Sequence, residues 1–144
     1  MIDDLPVRIM SLTDCAYVCS NMREEDFRET SSLTSSKTRE SMALVLMNQG
    51  GESYTISNRH GEPVLVGGAY YDNPGVGTIW LLATDKISHR DWWVTTKFIT
   101  GLIELMFEKG VAHRVQALSI GWRHVAHKWL QKIGLTKEGH LKGF

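Results

Sequence analysis

His113, His124 and His127 fall within fifteen residues of one another. Imidazoles grouped so closely offer two chemistries, proton transfer near neutral pH and metal ligation. Against a metal, His124 and His127 stand three apart with no carboxylate a further helical turn away, which leaves surface histidines as the plainer reading. Cys15 and Cys19 stand four apart in a helix-like stretch. A metal there would need more ligands nearby, and small buried thiols in a reducing compartment are expected instead. From Arg23 to Glu29 six of seven residues are charged. Carboxylates so close together could act in catalysis, but a run of this density is ordinarily a solvated helix face. Tyr70 and Tyr71 supply phenols, expected on a strand to pack or to face water.

Positioning any of these groups falls to residues 77–135. Residues 77–84 (GTIWLLAT) are almost uninterruptedly apolar, as a strand covered on both faces must be. A helix of about five turns follows, opened by Ser88 with Asp91 three residues on and closed by Gly110. Its Trp92, Trp93, Phe98, Ile99, Leu102, Ile103 and Met106 are expected to pack on the sheet. Residues 111–118 alternate like a strand, and Trp122, Val125, Ala126, Trp129, Leu130 and Ile133 mark one face of a last helix. Strand, crossover helix and strand make a βαβ unit, whose crevice lies at the carboxyl ends of the strands. A small-molecule site is therefore expected between Thr84 and Asp91.

Upstream, residues 6–10 read as a strand, and Ser11 or Thr13 can cap a helix whose first turn holds Asp14. Residues 21–23 break that helix before the acidic one begins. Residues 31–36 form a polar connector, residues 39–48 a third helix stopped by Gly50 and Gly51. Strands at 53–58 and 63–71 are joined by a turn at residues 59–62, and the loop at residues 72–77 turns the chain again, so that an antiparallel meander feeds the central strand.

At 144 residues the chain is one domain, 1–144, large enough to bury about two thirds of its unfolded surface. No apolar run approaches the roughly 20 residues of a membrane span, and the first residues lack the pattern of a signal peptide, so a cytoplasmic location is expected. The formal charge is zero, which makes nucleic-acid binding an unfavoured class. Its distribution is uneven, since residues 111–144 hold six basic side chains against Glu138 alone. That basic tail is either a solvated helix face or a docking surface, with Arg123, Lys128 and Lys132 as its docking residues.

The order β, α, α, α, β, β, β, α, β, α, with Ala126, Trp129-Leu130 and Gly134-Leu135 spaced along the last helix, resembles the GNAT fold of acetyl-CoA-dependent N-acyltransferases. The resemblance implies an α+β, three-layer fold with a mixed, mostly antiparallel sheet, one βαβ unit and helices on both faces. Asn21-Met22-Arg23 with Asp26 and Glu29, Gly61-Glu62-Pro63 before Gly67-Gly68, Trp80 with Thr84-Asp85, and Trp122-Arg123-His124 add a narrower likeness. Together they resemble small phage proteins with a GNAT-like domain, among them the internal virion protein of short-tailed podophages.

The wider family binds the pyrophosphate of coenzyme A on a glycine-rich loop between the central strand and the long helix. The matching stretch here, Lys86 to Asp91, has no glycine; His89 would crowd a phosphate and Asp91 would repel one. Lys86, His89 and Arg90 are the cofactor-binding residues if acetyl-CoA binds. The family's general-acid tyrosine matches Leu130, which has no proton to give, and the early asparagine of its last helix matches Arg123. Only residues 136–144 remain where the family has two more strands, so an open sheet edge is expected.

The resemblance therefore implies a phage virion or assembly protein that keeps the scaffold without acyl transfer. It would use no cofactor, would meet phage structural proteins or itself, and would reside in the host cytoplasm during synthesis and in the virion. The alternatives are an active N-acetyltransferase using acetyl-CoA and a small anti-host binding protein.

Overall fold

The computed structural model describes residues 5–33, 37–117 and 124–138. In chain order they form β1 (Val7–Ile9), α1 (Leu12–Asn21), α2 (Glu24–Leu33), α3 (Arg39–Met47), β2 (Glu52–Ser57), β3 (Pro63–Asn73), β4 (Gly75–Ala83), α4 (His89–Glu108), β5 (Ala112–Gln116) and α5 (His124–Lys132). The five strands make one sheet in the order β1-β2-β3-β4-β5. The first four pair antiparallel, and β5, reached through α4, pairs parallel to β4. This is the α+β architecture that the resemblance implies, with the crossover unit that the sequence pattern anticipates.

Alternation along the inner strands sends side chains to two cores. Ile79 and Ala83 of β4 pack with Val94, Phe98, Ile99, Leu102 and Met106 of α4. Leu82 of β4 and Val66 of β3 pack with Cys15, Val18 and Cys19 of α1 and with Met42 and Leu46 of α3. Both β3 and β4 are thus covered on both faces, which is why their sequences run apolar without a polar alternate. The two thiols are sealed between α1 and α3, where the Cys15 sulfur lies 3.8 Å from the Ala43 carbonyl oxygen.

Three expectations are corrected. The turn at residues 72–77 is tighter than expected: β3 runs to Asn73 and β4 starts at Gly75, and Asn73 pairs with Val76 across Pro74 and Gly75, whose φ of 80° allows the reversal. The acidic helix α2 extends through Leu33, into the supposed connector. Trp93 does not pack on the sheet. It is 58% exposed, with the Lys97 ammonium 5.6 Å from its ring centroid, since adjacent Trp92 and Trp93 cannot both face inward from one helix.

The start of α1 is held by a buried acid. Ser11 and Asp14 form a reciprocal capping box, and Asp14 also accepts from Arg8 Nε at 3.1 Å, Arg8 Nη2 at 2.8 Å and Thr55 Oγ1 at 2.9 Å. The Arg8 hydrogen bonds, with Thr55 adding to them against the opposing effect of burial, push the Asp14 carboxyl down to about 2. A carboxyl depressed on folding stabilises the fold above its unfolded value, near 4, and that stability is lost as pH falls toward 2. Arg8 is half exposed, so screening trims the gain to about 1–2 kcal/mol. Asp14→Asn is expected to lower stability by that amount at pH 7. Urea titrations at several pH values should show the difference from wild type shrinking between about pH 4 and pH 2.

Candidate functional site

The sheet opens at the carboxyl end of β4. Pairing of β4 with β5 stops at Thr78 and Gln116, where the Gln116 amide donates to Thr78 Oγ1 at 3.1 Å, while β4 continues through residues 79–83. Successive peptide groups of a strand face opposite edges. Thr84 N–H faces β3, donating to the Val64 carbonyl at 2.9 Å. The Ala83 peptide groups face the other way, and so do those of Leu81, two residues earlier. On that side the described pairing with β5 has ended, and the Leu81 N–H and C=O have no backbone partner among the described residues. They form a short length of free strand edge that an extended ligand could pair with.

The junction of α1 and α2 closes the far end of this edge. Met22 bridges to Thr84, and Arg23 N–H donates to the Ala83 carbonyl at 2.8 Å. Ala83 N–H donates to Asp26 Oδ2 at 2.8 Å. Asp26, only 1% exposed, also accepts from Arg23 Nε and Nη2, each at 3.0 Å. This corrects the reading of residues 23–29 as a solvated face: one carboxylate of the run points inward and is fully paired. The Arg23 guanidinium lies 5.1 Å from the ring centroid of Trp92, in the first turn of α4. Trp92 meets Trp129 of α5 edge to face at 6.1 Å, and Trp129 Nε1 donates to Thr96 at 2.9 Å. Arg23 therefore runs from the α1–α2 layer to the α4 layer, a route available only where the sheet is unpaired.

The loop between β4 and α4 forms the third wall. Lys86 N–H and Ile87 N–H fold back onto Thr84, to its hydroxyl at 3.3 Å and its carbonyl at 3.2 Å. Ser88 caps α4 in a reciprocal box with Asp91, with Asp91 N–H to Ser88 Oγ at 3.2 Å and Ser88 N–H to Asp91 Oδ2 at 3.0 Å. The Asp91 side chain is buried, so it does not stand out over the loop as the spacing alone suggested. His89 is exposed at the first helical position. The amides of His89 and Arg90, the first two helical residues, have no intrahelical acceptor.

The cations of this loop are engaged. Lys86 Nζ lies 3.2 Å from Glu62 Oε2, and Glu62 Oε1 accepts from Asn58 at 3.2 Å. Hydrogen bonds from Asn58 and then Lys86 hold the Glu62 carboxyl below its usual range, and Glu62 holds the Lys86 ammonium above its own. Arg90 stands 3.7 Å from Asp91. Lys86, His89 and Arg90 thus all lie between the end of β4 and the first turn of α4.

Other candidate residues lie elsewhere. Tyr70 and Tyr71 pair with Thr78 and Gly77 at the opposite end of β4, and burial together with the charge of Glu52 raises the Tyr71 phenol. His113 is exposed on β5. Lys128 and Lys132 are exposed on α5 and His127 half-buried there, while Arg123 and the His124 side chain lie outside the described residues. Leu130, at the matched acid position, packs against the α4 core. On the far side of β5, Arg114 pairs with Glu138. The sequence reading missed the joint role of Arg23, Asp26 and Trp92. Its one available signal was an Arg three residues before an Asp at a helix start, a spacing at which side chains meet.

No protein-family model and no curated protein matches the chain, whereas solved acetyltransferase structures do. A variant of the spermidine N-acetyltransferase of Vibrio cholerae superposes with a TM-score of 0.68 at 9% identity, over 95% of this chain and 83% of that one. An aminoglycoside acetyltransferase solved with coenzyme A gives 0.65 at 19% identity, over 92% and 84%. An acetyltransferase of Trypanosoma brucei gives 0.61 at 17% identity, over 98% and 99%. At these identities the likeness establishes the fold, which is that of the GNAT acetyltransferases.

Proposed function

We propose that this chain binds an acyl-coenzyme A in the crevice where β4 and β5 part, and transfers the acyl group to an amine. The observation that carries this reading is the free edge at Leu81, flanked by the first turn of α4 and by the α1–α2 junction. A pantetheine-like arm, which is an extended amide chain, finds there the donor and acceptor that a neighbouring strand would otherwise supply. The amides of His89 and Arg90 and the charges of Lys86 and Arg90 suit a phosphate at the helix start. Without glycine the loop cannot wrap the phosphates closely, so the strand edge carries more of the binding. Bound there, the coenzyme supplies an activated thioester. The amine forms the new C–N bond as the C–S bond breaks, and its proton passes to the thiolate. Leu130 cannot serve in that last step, and solvent can carry the proton.

Calorimetric titration with acetyl-CoA tests the reading, and saturable binding at a one-to-one ratio is expected. Lys86→Glu combined with Arg90→Glu should weaken that binding at least about tenfold, since two charges are reversed beside a polyanion. Heat no greater than that of dilution, with the protein folded, would exclude the coenzyme.

A second reading is favoured by Leu130, which packs against the core where a proton donor would otherwise stand. In it the chain is a phage virion or assembly protein that uses the scaffold for protein contacts, with exposed Lys128 and Lys132 on the docking face. Absence of coenzyme binding together with copurification in particles would establish it over the first.

A further inference from the structure

We infer that Arg23 is the recognition group for the acyl acceptor, and that it selects an amine that also carries a carboxylate. The inference rests on the acyl-transfer reading for the word acceptor, but the carboxylate site itself rests on the geometry of Arg23. Of the three guanidinium nitrogens, Nε and Nη2 are taken by Asp26. Nη1 has no hydrogen-bond partner among the described residues, which leaves its two N–H donors and the second N–H of Nη2 unused. The side chain is 18% exposed while Asp26 is sealed, so the ion pair presents its positive end outward and its negative end to the protein.

Its position is fixed from three sides. Asp26 grips one edge of the guanidinium, its own backbone N–H holds Ala83, and the Trp92 ring, braced by Trp129, lies beside it. Such a side chain loses little further freedom when it binds, which is the condition for strong use of a hydrogen-bond donor. The free corner stands at the end of the open β4 edge, two residues beyond Leu81. A ligand arm running along that edge would end there, and an acceptor must approach the same point. A planar oxyanion fits a pair of coplanar N–H donors beside an aromatic face. An acceptor bearing only positive charge would meet the outward end of this ion pair and be repelled.

The test uses the full chain labelled with 15N, observing the Arg23 Nε–Hε and Trp92 Nε1–Hε1 signals. The probes are the dipeptide alanylglycine and its C-terminal amide, which share the amine and differ in the carboxylate, each titrated with and without coenzyme A. Alanylglycine is expected to shift both signals saturably and to bind at least about tenfold more tightly than the amide. Arg23→Gln should erase that preference. Should Arg23→Gln fail to fold, Arg23→Lys serves, because its ammonium keeps the charge beside Asp26 yet spends its donors there.

Equal binding of the two probes, no shift with either, or a preference that survives in the variants would overturn the inference. The acetyl-CoA titration separates the two claims. Carboxylate preference without coenzyme binding leaves the Arg23 site standing and removes acyl transfer. Coenzyme binding without the preference removes the Arg23 site alone.

Discussion

Asp26→Asn is expected to destabilise the protein by about 3–5 kcal/mol, the range for breaking a buried ion pair on one side. The carboxylate is 1% exposed and accepts from three donors, Arg23 Nε, Arg23 Nη2 and Ala83 N–H. An amide keeps one carbonyl oxygen, so it can satisfy Ala83 or one guanidinium nitrogen but not all three. It also turns an NH2 group toward donors. Arg23 would be left a desolvated cation without its counter-charge, beside the end of β4. Equilibrium urea unfolding measures the loss. A double-mutant cycle with Arg23→Met distinguishes this cause from a packing defect, because removing the cation should return part of the stability. An additive cycle would mean that the pair does not hold the junction.

Gly68→Ala is expected to cost at least about 3 kcal/mol, beyond the ordinary range for overpacking, because the obstacle is backbone. A Cβ at Gly68 runs into the Glu52 carbonyl oxygen and stands 2.9 Å from Ser53 Cα. Both belong to β2, the neighbour that pairs with β3 through Ser53 and Gly68. No side chain can swing aside, so relief requires parting two strands in the middle of the sheet. Gly61→Ala is the matched control. Its φ of 79° is unfavourable, but nothing lies within 4 Å of the added carbon, and a cost of only about 1–2 kcal/mol follows. Thermal melts of the two variants should therefore differ widely.

These two sites differ in how far they could be read in advance. The helices and strands were legible because their apolar residues repeat with the periods of regular structure, and Ser11 and Ser88 stand where caps are needed. From that order the sheet with one crossover follows almost without choice. The reading stopped where direction mattered more than composition. In the run from Arg23 to Glu29 nothing local says that Asp26 faces inward while Glu24 and Glu25 face solvent. The donor to its lone pairs, Ala83 N–H, is 57 residues away. Asp91 is the same lesson with the opposite sign. Its charge was placed over the loop by spacing, yet its carboxylate is spent on Ser88 N–H. The turn before β4 was placed but drawn too long, because Asp, Asn, Pro and Gly in succession signal a loop, whereas Pro74 and a positive-φ Gly75 suffice to reverse the chain.

The sealed position of Cys15 and Cys19 has a practical consequence. A thiol reagent in solution cannot touch either sulfur until α1 lifts from α3. The rate of alkylation under native conditions therefore counts how often that layer detaches, without denaturant and without an added probe. Because α1 leads into Met22 and Arg23, the same clock times the opening of the roof over the strand edge.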